Sequence, residues 1–192
     1  MRHKAMILAG GMSRRFGSDK TLAPFRGSTV IGTTADNLVQ SGFRTYIVAK
    51  DIEKYSGIPV EGRILDGNAQ QCPMTGVITA LENVSEPVFI VSADSPMVNG
   101  FTAEGMFEYI EGYDAVIPDV EGKVHPLHGV YAPSALGVLR RFFNDGNFRM
   151  FQALKDMNVC WLGDDYFARF EGGTRVLGNI NTEEDMGKLL GN

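Results

Sequence analysis

Short apolar runs alternate with apolar stripes of helical spacing along most of this chain. The runs fall at residues 4–9, 44–49, 87–92, 114–117 and 158–162, each bounded by turn-forming residues. Continuous apolar runs of this length predict strands covered on both faces, as in a parallel sheet. Between them, Ile31, Ala35, Leu38 and Val39 mark one helical stripe, and Met74, Val77, Ile78 and Leu81 mark a second. Phe101, Phe107 and Ile110 suggest a third. Pro133 sits where a helix can start, with Leu136, Leu139 and Phe143 on one face. A last helix is predicted over 183–190, with Thr182 as N-cap and Glu183, Glu184 and Asp185 at the positive end of its dipole. No linker or internal repeat interrupts the pattern. The predicted fold class is α/β, a three-layer αβα sandwich with a mostly parallel, Rossmann-like sheet, in a single domain over 1–192.

Composition changes this picture little. The 192 residues are 44% hydrophobic and 21% charged, ordinary for a folded globular chain. A net charge of −5 argues against broad binding to nucleic acid or anionic membrane. The apolar stretch near the N-terminus breaks at Gly10-Gly11, too short for export, and no run approaches the about 18 residues of a membrane span. Two cysteines, Cys72 and Cys160, make no disulfide framework, so a reducing, cytoplasmic setting is expected.

In open α/β sheets ligands bind beyond the carboxyl ends of the strands. The loop after the first run, Leu8-Ala9-Gly10-Gly11-Met12-Ser13-Arg14-Arg15-Phe16-Gly17-Ser18-Asp19-Lys20, is the densest in chemistry. Bare backbone amides ringed by fixed positive charge suit a polyphosphate. The spacing matches neither the P-loop nor the dinucleotide fingerprint. Arg15 offers a planar fork and Lys20 a mobile point charge for phosphate oxygens.

Asp94 lies just beyond the strand run over 87–92, in Val91-Ser92-Ala93-Asp94. There it could hold Mg²⁺ between itself and nucleotide phosphates, or cap the following turn. Asp66 opens a second loop, where it could meet a base or ribose or simply make an Asp-Gly turn. Cys72 has no base or second ligand nearby and reads as structural. His125 and His128 cluster without further ligands at zinc spacing, so a pocket-lining loop or strand is the better reading. In Asn179-Ile180-Asn181-Thr182 the asparagines could contact a ligand or cap the last helix.

These pieces resemble the molybdenum cofactor guanylyltransferases, which make molybdopterin guanine dinucleotide. Their pattern Leu-Ala-Gly-Gly-x-Ser-x-Arg-x-Gly-x-Asp-Lys is matched at every specified position from Leu8 to Lys20. Further matches are Asp94-Ser95-Pro96, His125-Pro126-Leu127 with Tyr131, and Asn179 to Asp185. Related cytidylyltransferases and sugar-nucleotide enzymes usually have Ala-Gly in place of Gly10-Gly11. The resemblance implies a nucleotide-diphospho-sugar transferase type of fold and transfer of GMP from GTP to molybdenum-molybdopterin. It implies that Leu8, Ala9, Gly10, Gly11 and Asp66 contact GTP and that Lys20 and Arg15 offset phosphate charge. Asp94 would bind Mg²⁺. The N-terminal half would hold GTP and the metal, and the second half the pterin; by charge alone, and not by the resemblance, Arg140, Arg141 or Arg149 is a candidate to receive the pterin phosphate. The resemblance further implies transient contact with molybdenum-insertion proteins or molybdoenzymes.

Three departures stand out. Ala93 replaces a cysteine, Met74-Thr75 replaces Leu-Ala, and Ala49-Lys50-Asp51 stands where a small residue and an asparagine often follow the second strand. The last leaves one nucleotide contact unassigned. Two other functions stay open on the residues: the same chemistry with CTP or a sugar phosphate, and a nucleotide- or cofactor-binding protein without turnover.

Overall fold

The computed structural model describes residues 2–10 and 20–190. Its first half contains β1 (Lys4–Leu8), β2 (Pro24–Phe25), β3 (Ser28–Thr29), α1 (Val30–Gln40), β4 (Arg44–Ala49), β5 (Gly62–Leu65), α2 (Pro73–Glu82), β6 (Val88–Ser92) and α3 (Gly100–Met106). The second half adds β7 (Ala115–Val120), β8 (Lys123–Val124), β9 (His128–Tyr131), α4 (Ala135–Asn144), α5 (Met150–Leu154), β10 (Val159–Leu162), α6 (Asp164–Phe167) and α7 (Glu183–Leu190).

The main sheet runs in the order β10-β7-β9-β6-β1-β4-β5, with β8 paired to β7 at its side. Pairs β6–β1, β1–β4, β4–β5 and β7–β10 are parallel, whereas β9 is antiparallel to both β6 and β7. The mostly parallel, three-layer expectation holds; β8 runs antiparallel to β7, and β9, antiparallel to both its neighbours, joins the two halves. Gly129 of β9 is needed for that junction: a Cβ there would lie 2.7 Å from the Val116 carbonyl oxygen. Two apolar clusters fill the space on either face of the sheet. One gathers Ile31, Leu38, Ala103, Met106 and Phe167 from α1, α3 and α6; the other gathers Met74, Leu81, Leu139 and Leu154 from α2, α4 and α5. Burial of such side chains contributes about 1.5–3 kcal/mol each, so both layers are strongly held.

Most boundaries agree with the apolar pattern, and the differences have physical reasons. β5 is an edge strand whose Gly-Arg-Ile-Leu carries only two apolar residues, with Leu65 exposed. The third helix packs through Thr102, Ala103 and Met106, so Phe101, expected on the buried face, is 71% exposed. Val39 likewise points outward from α1, while Ile31, Ala35 and Leu38 are buried. The helix anticipated at Pro133 begins at Ala135 after Ser134. Thr182 does cap α7: its hydroxyl accepts from the Asp185 amide at 3.1 Å, and the Asp185 carboxylate accepts from the Thr182 amide at 2.9 Å.

Register decides where chemistry can gather. Leu8 pairs with Val48 on one side and Ser92 on the other, and Ala49 pairs with Leu65. The carboxyl ends of β6, β1, β4 and β5 are therefore level. Asp94, Gly10, Lys50 and Asp66 leave the sheet along one rim.

Candidate functional site

A cavity of about 390 Å³ opens at that rim, walled by Gly10, Lys50, Asp66, Asp94, Gln71, Thr75 and Asn179 among others. Leu8 and Val48 from the strand ends, with Pro73 and Gly76 from the start of α2, give it an apolar floor. Gly76 keeps this floor close-packed, since a Cβ there would meet Leu8 Cδ1 at 3.2 Å. Gly10 is held from below by Gln71, whose amide nitrogen donates to its carbonyl oxygen at 3.0 Å.

One end of the cavity belongs to Asp94. This residue is 8% exposed, and its carbonyl oxygen accepts from the Ile180 amide at 2.8 Å. The Lys20 ammonium donates to its Oδ2 at 2.5 Å, to the Ile180 carbonyl oxygen at 3.0 Å and to Asn181 Oδ1 at 3.3 Å. Three acceptors match the three N–H groups of an ammonium. Asp94 Oδ1, in contrast, is buried without a hydrogen-bond partner among the described residues. Burying an anionic oxygen with no donor is costly, so this atom is suited to a cation. Among the described residues no group of three or more His, Cys, Asp or Glu is placed to hold a metal. Asp94 is thus the residue of this wall that could hold a divalent cation, with the rest of the ion's shell coming from outside the protein.

The other end belongs to Asp66, 5% exposed and surrounded by donors. Its Oδ1 accepts from the Asn68 amide at 3.1 Å, Asn68 Nδ2 at 2.9 Å and Thr79 Oγ1 at 3.2 Å. Its Oδ2 faces Lys50 Nζ at 3.0 Å and Thr75 Oγ1 at 2.9 Å. Burial alone would raise this carboxyl's pKa, but the bonds from Asn68, Lys50 and Thr75 outweigh it and hold it below the usual carboxylate range.

The chain thus brings together Leu8, Gly10, Asp66 and Asp94 in one wall, with Lys20 behind Asp94. Ala9 is not in that wall: its amide donates to the Val48 carbonyl at 2.8 Å, and it packs against the opposite cluster. Gly11 and Arg15 lie outside the described residues. Arg140 and Arg141 are committed to exposed ion pairs with Glu82 and Asp156, and neither they nor Arg149 lines the cavity. Cys72 is a surprise, since this expected structural residue stands in the cavity wall just before α2. His128 is 3% exposed against Phe89, and burial, with the neighbouring His125, pushes its pKa down to about 3. It stays neutral and outside the cavity. Asn179 enters the wall, and its Oδ1 accepts from the Ser95 hydroxyl at 2.8 Å. Residue-type reasoning missed Lys50, Gln71 and Thr75 as wall residues. For Lys50 a positional signal existed, because it directly follows a predicted strand at the rim where ligands bind.

Comparison with known proteins gives a consistent answer. A family model described as MobA-like NTP transferase domain matches residues 5–158. A probable molybdenum cofactor guanylyltransferase of Aquifex aeolicus is 32% identical, over 96% of this chain and 88% of its own. Molybdopterin-guanine dinucleotide biosynthesis protein A of Archaeoglobus fulgidus superposes with a TM-score of 0.86 at 26% identity, covering 96% of this chain and 95% of its own. A second solved structure, a protein of Aquifex aeolicus, matches with a TM-score of 0.77 at 31% identity over 94% of each chain.

Proposed function

The chain belongs to the MobA-like NTP transferase family, and from that premise we propose that it transfers GMP from GTP to molybdopterin carrying molybdenum. The terminal phosphate oxygen of the pterin attacks the α-phosphorus of GTP. A new P–O bond forms, the α–β phosphoanhydride bond breaks, and pyrophosphate leaves with the electron pair. A phosphate monoester is already anionic at neutral pH, so no side chain has to generate the nucleophile. The work left to the protein is positioning and neutralisation of charge.

Single-domain organisation is part of this reading, with the first half binding GTP and the second half receiving the acceptor. It is supported by the continuous sheet and by Leu127 and Asn179, which reach the same cavity from the second half. Leu8, Gly10 and Asp66 border the nucleotide. Asp94 would hold Mg²⁺, and a bound ion would supply charge neutralisation at the phosphates. Lys20 fixes the Asp94 carboxylate and places positive charge beside the leaving pyrophosphate. A cytoplasmic setting agrees with the free thiols of Cys72 and Cys160. No helix among the described residues is long and apolar enough to cross a membrane.

The observation that carries this proposal is Asp94, with Lys20 on one carboxylate oxygen, in the wall of a cavity of about 390 Å³ inside this family's fold. Pyrophosphate release from GTP, measured with Mg²⁺ and molybdenum cofactor, tests it. Turnover with GTP and little with CTP, ATP or UTP is the expected result. Equal turnover with CTP would overturn guanine selectivity, and binding without pyrophosphate release would overturn catalysis.

A further inference from the structure

Asp66 and Lys50 form the polar end of the cavity, and their hydrogen bonding divides unequally. Both carboxylate oxygens of Asp66 are fully engaged by Asn68, Thr75, Thr79 and Lys50. The Lys50 ammonium bonds to Asp66 Oδ2 and to the Asn68 carbonyl oxygen. An ammonium has three N–H groups. The third belongs to a half-buried side chain in the cavity wall, with no acceptor from the described residues.

Place along the rim decides what that N–H can meet. Neighbouring strands are about 4.8 Å apart, so the end of β5 lies roughly 14 Å from the end of β6. A nucleoside triphosphate with its phosphates beside Asp94 and Lys20 extends its base towards β4 and β5. There the floor is Leu8, Val48, Pro73 and Gly76, an apolar surface suited to a flat ring. Lys50 stands at the edge of that slot.

We propose that Lys50 is the specificity-determining residue for the base, donating its third N–H to the keto oxygen of guanine. Asp66 is the positioning residue that holds the ammonium in place. This rests on the reading of the cavity as a nucleotide site. Guanine presents O6 and N7 as acceptors on one edge, whereas adenine presents an amino donor at the equivalent place. Against adenine, donor faces donor, and a desolvated ammonium loses an acceptor. Sites built to pair such groups discriminate strongly because the wrong ligand leaves them unpaired.

Binding to the intact protein with Mg²⁺ tests this, using GTP, ATP, UTP, CTP and 2-aminopurine ribonucleoside triphosphate, which keeps the 2-amino group but lacks O6. The wild type should bind GTP more tightly than the 2-aminopurine analogue by roughly ten- to a hundredfold. This measurement needs no variant. Lys50→Met should bring GTP and ATP to similar affinities, chiefly by weakening GTP, and Asp66→Asn should lower the same ratio by a smaller factor. Equal loss of GTP and ATP on Lys50→Met would overturn the proposal and assign the lysine to phosphate. Wild-type affinity for the analogue equal to that for GTP would overturn it as well. A wild type that prefers UTP over CTP, with that preference erased by Lys50→Met, would uphold keto selection by Lys50 while overturning GTP as substrate.

Discussion

Asp66 and Asp94 are both buried aspartates just beyond strands of one sheet, yet the protein satisfies them in opposite ways. Every lone-pair direction of Asp66 is met by donors from its own loop, α2 and Lys50. Asp94 has one oxygen locked to Lys20 and the other without a donor among the described residues. Burial and charge are alike in the two cases, so neither property distinguishes a ligand-binding carboxylate from a structural one. The state of the last lone pair does. A saturated carboxylate orders its surroundings, whereas an unsatisfied one in a cavity wall is stabilised further only when a cation arrives.

The strongest way to break this contrast is Asp94→Asn. Pyrophosphate release should fall by roughly 10²–10³-fold, as expected when a preorganised electrostatic contact to the reacting phosphates is lost. Near-normal turnover in a cooperatively folded variant would remove Asp94 from the metal site. Asp66→Asn should act chiefly on stability. Its new amide would set N–H groups against the donors that now converge there, costing about 1–3 kcal/mol in urea unfolding. The acid dependence has a definite sign. The Asp66 pKa is lower in the native than in the unfolded state, so its contribution is present above about pH 4 and is lost as pH falls through the native pKa. The gap between wild type and Asp66→Asn should therefore narrow in acid.

His128 sharpens the comparison, because both its ring nitrogens are also buried without hydrogen-bond partners among the described residues, though it does not line this cavity. Its native pKa of about 3 lies below the unfolded value near 6.5, so the unfolded chain binds the extra proton between them. Stability should be complete above about pH 6.5 and decline on acidification, with a slope approaching about 1.4 kcal/mol per pH unit. His128→Leu should flatten that slope and leave turnover at neutral pH within a few fold. A large loss of turnover in a stable His128→Leu protein would mean that unpartnered burial away from the cavity also marks function here.

Legibility from sequence followed the same division. The strand over 44–49 matches β4 because its apolar residues are contiguous, and α2 matches its stripe because Met74, Val77, Ile78 and Leu81 all face the core. β5 escaped because an edge strand needs few apolar residues. Phe101 misled because α3 buries Thr102, Ala103 and Met106, which carry less periodic signal than an aromatic ring. Lys20 and Asp94 were readable from residue type and strand position, but their contact spans 74 positions and belongs to the fold. Lys50 was readable only by position. Its importance comes from Asp66 and the Asn68 carbonyl, and no local spacing announces that partnership.

The Ile180 amide holds the Asp94 backbone, and the Ile180 carbonyl and Asn181 side chain supply two of the three acceptors for Lys20. During synthesis the whole sheet can form before residue 179 leaves the ribosome, since β10 ends at Leu162. A chain that stops short of Ile180 would therefore carry the strands and still lack the backbone bond to Asp94 and two of the three acceptors that hold Lys20.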